Sequence, residues 1–104
     1  MPRPALPNLQ ITKTTRQAAG SGTWVCGRVG QTYRFDALVF PEHAENPGYE
    51  IGSSRISKLW IWRTDNDRMV YGWDRGLDID ATTPEVRQVL DGLCATLARL
   101  TYGH

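Results

Sequence analysis

Three groups of side chains have types and spacings that could do chemistry. His43 lies between Glu42 and Glu45, Cys26 and Cys94 are the two thiols, and Asp74-Arg75-Gly76-Leu77-Asp78 sets one guanidinium between carboxylates. An imidazole with two carboxylates is a metal-ligating set. Three residues within one connecting segment, with no further ligand at motif spacing, fall short of the ligand set a zinc ion takes. The cysteines form no CxxC and no His-linked zinc spacing, so they read as free thiols, with a single Cys26–Cys94 disulfide as the alternative. Arg75 offers a bidentate fork to a phosphate or to an acidic residue of a partner. The competing account has Gly76 kinking the strand as at a bulge while Arg75 pairs with Asp74 or Asp78. No nucleophile stands beside a base, and there is no Gly-rich phosphate loop and no HExxH. The sequence therefore reads as non-enzymatic, with no cofactor and no metal.

The elements that must position these residues centre on Arg55 to Asp80. Two arms rich in β-branched and aromatic residues flank the turn formers Asp65-Asn66-Asp67, which predicts a β-hairpin. A two-residue loop at Asn66-Asp67 places Tyr71 opposite Trp62, Gly72 opposite Ile61 and Trp73 opposite Trp60. Trp60, Trp62, Tyr71 and Trp73 then share one face, and Leu59, Ile61, Val70 and Gly72 the other. Upstream, Thr23 to Val29 and Tyr33 to Phe40 alternate around the three-residue loop Gly30-Gln31-Thr32. That register gathers Val25, Phe35, Ala37 and Val39 on one face and sends Trp24, Arg28, Arg34 and Asp36 to the other. A two-residue loop would bury the Asp36 carboxylate among apolar side chains.

Pro41 to Ser54 reads as a long solvated connection. Thr82 as N-cap, Pro84 in the first turn and Glu85 three residues after Thr82 predict a helix start with a capping box. Val86, Val89, Leu90, Leu93, Cys94, Leu97, Leu100 and Thr101 form its apolar stripe, and Gly103 ends it. Gly92, at the flank of the stripe, marks a loosened or closely approached turn. Residues 1–21, with three prolines and several Thr and Gln, read as a flexible arm, with a short strand at Leu9 to Lys13 as the alternative. At 104 residues, 40% hydrophobic and 22% charged, the chain is of one-domain size. Its net charge of +1 hides an asymmetry: Arg3, Lys13, Arg16, Arg28 and Arg34 all precede the first acid, Asp36. No apolar run is long enough to span a bilayer and no signal-peptide core follows Met1, so the chain reads as cytoplasmic.

Gly48-Tyr49-Glu50-Ile51-Gly52-Ser53-Ser54-Arg55-Ile56-Ser57-Lys58-Leu59 and Trp73-Asp74-Arg75-Gly76-Leu77-Asp78 together resemble a family of small uncharacterised proteins of phages and bacterial mobile elements. Their pattern is YGI-x-GGRISKL followed by YDRGWD, a domain of unknown function. The chain departs from it at Ser53-Ser54, where the family has a glycine pair, and at Leu77, where it often has Trp. The resemblance implies a genomic setting and not a mechanism.

The expected architecture is α+β in two layers: a four-stranded antiparallel sheet of two hairpins, with one C-terminal helix packed on one face, over residues 22–104. One helix covers one face only. The other would carry Trp24, Trp60, Trp62, Tyr71 and Trp73 with Lys58 and Arg75 around them, a patch of the kind that engages a partner. A protein partner, either a second copy in a homodimer or a host target, fits an aromatic centre with an Arg rim. In a mobile-element setting such a module would inhibit a host defence enzyme, as anti-CRISPR or anti-restriction proteins do. Single-stranded nucleic acid is the alternative for the same Trp/Arg face. In a third arrangement the arm or the 41–54 connection folds over the tryptophans as a second small core.

Overall fold

The computed structural model describes residues 6, 8–17 and 22–103. Six strands, β1 (Leu9–Arg16), β2 (Thr23–Val29), β3 (Tyr33–Val39), β4 (Ile56–Arg63), β5 (Met69–Asp74) and β6 (Leu77–Ile79), precede one helix, α1 (Pro84–Tyr102). Each strand pairs antiparallel with its neighbours in sequence, so the sheet is a six-stranded meander, β1-β2-β3-β4-β5-β6. The four central strands are the two expected hairpins; the expected count of four is corrected to six by one strand at each edge. Neither edge strand has the alternation that betrays a half-buried strand. β1 is exposed along nearly its whole length and is held by backbone pairing to β2, with a bulge after Ile11, while β6 is only three exposed residues long. β1 extends the strand character of Leu9 to Lys13 as far as Arg16; residues 1–5, 7 and 18–21 of the expected arm lie outside the described residues.

The β2–β3 register is the expected one, with Val29 opposite Tyr33 across a three-residue loop. Val25, Phe35, Ala37 and Val39 accordingly face the helix and are at most 1% exposed. They meet Ile56, Leu59 and Ile61 from β4 and Val89, Leu90, Leu93 and Leu97 from α1. Burying each such aliphatic side chain contributes about 1.5–3 kcal/mol.

The β4–β5 register differs by one residue from the expected hairpin. Arg63 N–H donates to the Arg68 carbonyl, so the loop has four residues, 64–67, with Asp67 in the left-handed region at φ 54°. Trp62 then opposes Met69, and a bulge brings Tyr71 opposite Ile61, Gly72 opposite Trp60 and Trp73 opposite Leu59. A one-residue slip exchanges the faces of a strand. Tyr71 is thereby 2% exposed beneath the helix, and Gly72 lies on the far face, where a Cβ would come within 3.6 Å of Trp60 Cδ1. A side chain at position 72 would meet the Met69 sulfur, 3.2 Å from such a Cβ, and not the helix.

Helix α1 starts one residue later than its sequence signals suggest. Thr83 is the N-cap, its Oγ1 accepting from Val86 N–H. Glu85 accepts a 2.6 Å hydrogen bond from the Tyr33 hydroxyl instead of closing a capping box. At the other end Tyr102 donates to the Val39 carbonyl at 2.8 Å, and its hydroxyl lies 3.0 Å from Thr23 Oγ1. Gly103, at φ 79°, closes the helix with its N–H on the Arg99 carbonyl. Leu100, expected in the stripe, is 56% exposed, and the closely approached turn at Gly92 is real: a Cβ there would lie 2.4 Å from Leu6 Cγ. Among the described residues no helix is long and apolar enough to cross a membrane.

Candidate functional site

The face turned away from the helix carries side chains in rows set by the strand pairing. Trp24, Leu38, Lys58 and Asp74 make one row, and Cys26, Asp36, Trp60 and Gly72 the next. Arg28, Arg34, Trp62 and Met69 make the third. Trp24 and Trp60 lean toward each other from either side of β3 and stack, with ring centroids 6.0 Å apart and 12° between planes. Trp62 is capped by the Arg34 guanidinium 4.2 Å from its ring centroid, a cation–π contact. These three tryptophans are half-buried by one another and by their neighbours.

Charge on this face is balanced. Arg34 reaches Asp67 at 3.5 Å and Lys58 reaches Asp74 at 3.5 Å, while Arg28 is exposed. Burial, reinforced by a hydrogen bond to Asp36 and only partly offset by Lys13, pushes the Cys26 thiol up to about 11. Cys26 therefore stays a neutral thiol at pH 7 and is a poor nucleophile. Cys94, half-buried on α1, is likewise free, and burial pushes its thiol up to about 12.

Of the seven residues expected at the interaction surface, Trp24, Lys58, Trp60 and Trp62 lie together on the open face. Three do not. Tyr71 is in the core and Trp73 is half-buried against it on the helix side, both because the bulge in β5 moves them across the sheet. Arg75 belongs to the β5–β6 turn, beyond the end of the strands, with φ 53° and its N–H on the Ser57 carbonyl. Its expected structural pairing with Asp74 or Asp78 is not made. Asp74 pairs with Lys58, and the Arg75 guanidinium sits 5.8 Å above the Tyr49 ring. Gly76, at φ 157°, does shape that turn, its carbonyl accepting from Asp74 N–H.

A second feature, unrecognised in the sequence, lies at this end of the sheet. Glu50 is 4% exposed and gathers the 41–54 connection around itself, accepting from Ala44 N–H at 2.6 Å and Arg55 N–H at 3.0 Å and pairing with His43 Nδ1 at 2.9 Å. Burial alone would raise its pKa; the His43 contact and the two amides outweigh that and hold it below the ordinary glutamate value. His43, weighed above as a metal ligand, is thus the partner of a buried carboxylate. The clasp borders a cavity of about 500 Å³. The turn-forming Asn46-Pro47-Gly48, ahead of a glutamate inside an otherwise apolar-flanked connection, was the available signal.

The sites of the two sequence stretches singled out above, Gly48 to Leu59 and Trp73 to Asp78, meet here: Tyr49, Glu50, Arg55, Ser57, Lys58 and Arg75 all border that cavity. No curated protein and no solved structure matches the chain. A family model does match, over residues 23–98, from the first residue of β2 to within the last turns of α1. The match spans well over half of the chain, and the protein belongs to the family described as a domain of unknown function, DUF7678.

Proposed function

We propose that this protein is a non-enzymatic protein-binding module that acts through the open face of its sheet. The observation that carries this reading is the cluster of Trp24, Trp60 and Trp62 on the face that α1 leaves uncovered. Tryptophan and arginine dominate the energetic centres of protein interfaces. Electrostatics favour a protein over a nucleic acid, because Arg34 and Lys58 are each paired with an aspartate and little uncompensated positive charge is left for phosphates. A surface with both signs of charge around an aromatic centre suits a second copy, as in a homodimer, or a host protein. The resemblance to phage and mobile-element proteins supports a cytoplasmic role as an inhibitor of a host target such as a defence enzyme, of the anti-CRISPR or anti-restriction kind.

The double substitution Trp24→Ala with Trp60→Ala tests the reading. Light scattering is expected to show self-association of the parent protein that the variant loses, with its helical circular dichroism retained. A parent that is monomeric at all concentrations and binds a fluorescent single-stranded oligonucleotide in a tryptophan-dependent manner would move the assignment to nucleic acid. Global unfolding of the variant would make the tryptophans a second core and end the interaction reading.

A further inference from the structure

The cavity at the end of the sheet adjoins the tryptophan face, sharing Leu38 and Lys58 with the Trp24 row, and has the makings of a ligand site of its own. Its volume of about 500 Å³ is that of a small-molecule pocket, which typically spans roughly 300–1,000 Å³ and combines apolar walls with a few convergent polar groups. Leu38, Phe40, Pro41 and Tyr49 supply the apolar wall. Arg55, Lys58 and Arg75 supply the charge, and their roles differ. Arg55 is structural: its Nη1 donates to the Pro41 carbonyl at 2.8 Å, and its N–H to Glu50. Lys58 shares Asp74 at 3.5 Å. The Arg75 guanidinium lies over the Tyr49 ring and makes no ion pair with any carboxylate among the described residues. Of the acids bordering the cavity, Glu50 is taken up by its three donors and Glu42 is exposed to solvent.

Two residues at this cavity also hold the backbone in the left-handed region, Arg55 at φ 65° and Arg75 at φ 53°. A non-glycine residue there is strained, and such strain concentrates where a side chain must be presented at a fixed place. A glycine at position 75 would make the turn more easily but would carry no guanidinium.

We infer that this cavity binds a small organic anion with a flat apolar body, the anionic group on the Arg75 fork with Lys58 beside it and the body against Tyr49, Phe40 and Leu38. A carboxylate and a phosphate monoester share this chemistry, since both present two oxygens to a planar guanidinium. The inference does not rest on the protein-binding reading of the tryptophan face.

Backbone amide spectra of the isotope-labelled full chain, titrated with phenyl phosphate, benzoate, benzamide and inorganic phosphate, test it. Phenyl phosphate or benzoate should shift the amides of Tyr49, Ser57, Lys58 and Arg75 saturably, and which of the two binds tighter identifies the anion. Arg75→Gln, which retains the backbone geometry, should weaken binding roughly tenfold, and Tyr49→Ala, at a ring already 46% exposed, should weaken it independently. Trp60→Ala should leave it unchanged. Equal binding of benzamide would overturn the anionic requirement, and equal binding of inorganic phosphate the apolar one. Shifts centred on Trp24 and Trp60, or no saturable shift at millimolar ligand, would overturn the site altogether.

Discussion

Glu50 shows how one side chain can organise a segment that composition marks only as loop. A buried carboxylate is tolerable when donors surround it, and here two backbone amides and an imidazole do so. Its folded pKa lies below the unfolded value of 4.5. The stability it contributes is therefore fully present above about pH 4.5 and is lost as the pH falls through the folded pKa. Glu50→Gln is expected to cost about 1.5–3 kcal/mol at pH 7, the range for hydrogen bonds to a charged group. The difference between variant and parent should shrink below pH 4, and denaturant melts between pH 3 and pH 7 would show both effects. A variant as stable as the parent at neutral pH would mean that the 41–54 connection is held by something other than this carboxylate.

Among the elements, α1 and its seat behaved as physical pattern reading leads one to expect, because a stripe at 3.6-residue spacing and a period-two strand are both long signals. Leu93 and Leu97 are fully buried in the core that also holds Val25, Phe35, Leu59 and Ile61. Leu93→Ala and Leu97→Ala should each cost about 2–5 kcal/mol in denaturant melts, and a cost under 1 kcal/mol for both would remove the helix from this face. The β4–β5 hairpin was less legible for a specific reason. Asn66-Asp67 is a good two-residue turn, but the observed loop runs over 64–67 and a bulge at Val70 takes up one residue more. Hydrophobic pattern could not arbitrate, since Val70, Tyr71 and Trp73 are apolar or aromatic on either register. The upstream hairpin was decided by Asp36, a charge that can face only one way, and that register held. Edge strand β6, and β1 beyond Lys13, were illegible for the opposite reason, as they bury almost nothing. The facing of the side chains was thus the expected one on β2 and β4 and the opposite one at Tyr71, Gly72 and Trp73 of β5. The Glu50-bordered cavity depends on chain segments far apart in sequence meeting in space, which no local pattern reports.

For the molecule as a whole, the aromatic centre of the open face is smaller than the sequence suggested, three tryptophans and not four with a tyrosine. β1 lies outside the span matched by the family model, which covers β2–β6 and α1 as far as Ala98. The order of the strands carries a consequence for how the chain reaches this structure. All sheet pairings join strands adjacent in sequence, and every connection but the long one between β3 and β4 is short, so the sheet can zip outward from either hairpin. The far contacts belong to the helix, whose last residue Tyr102 bonds across 79 positions to Thr23 and across 63 to Val39. Those bonds close the largest loops and should form after the rate-limiting barrier. Tyr102→Phe is expected to speed unfolding several-fold in stopped-flow chevrons, in keeping with loss of about 1 kcal/mol, while leaving the refolding arm in place. A slowed refolding arm would mean that the end of α1 must meet β2 and β3 before the sheet can form.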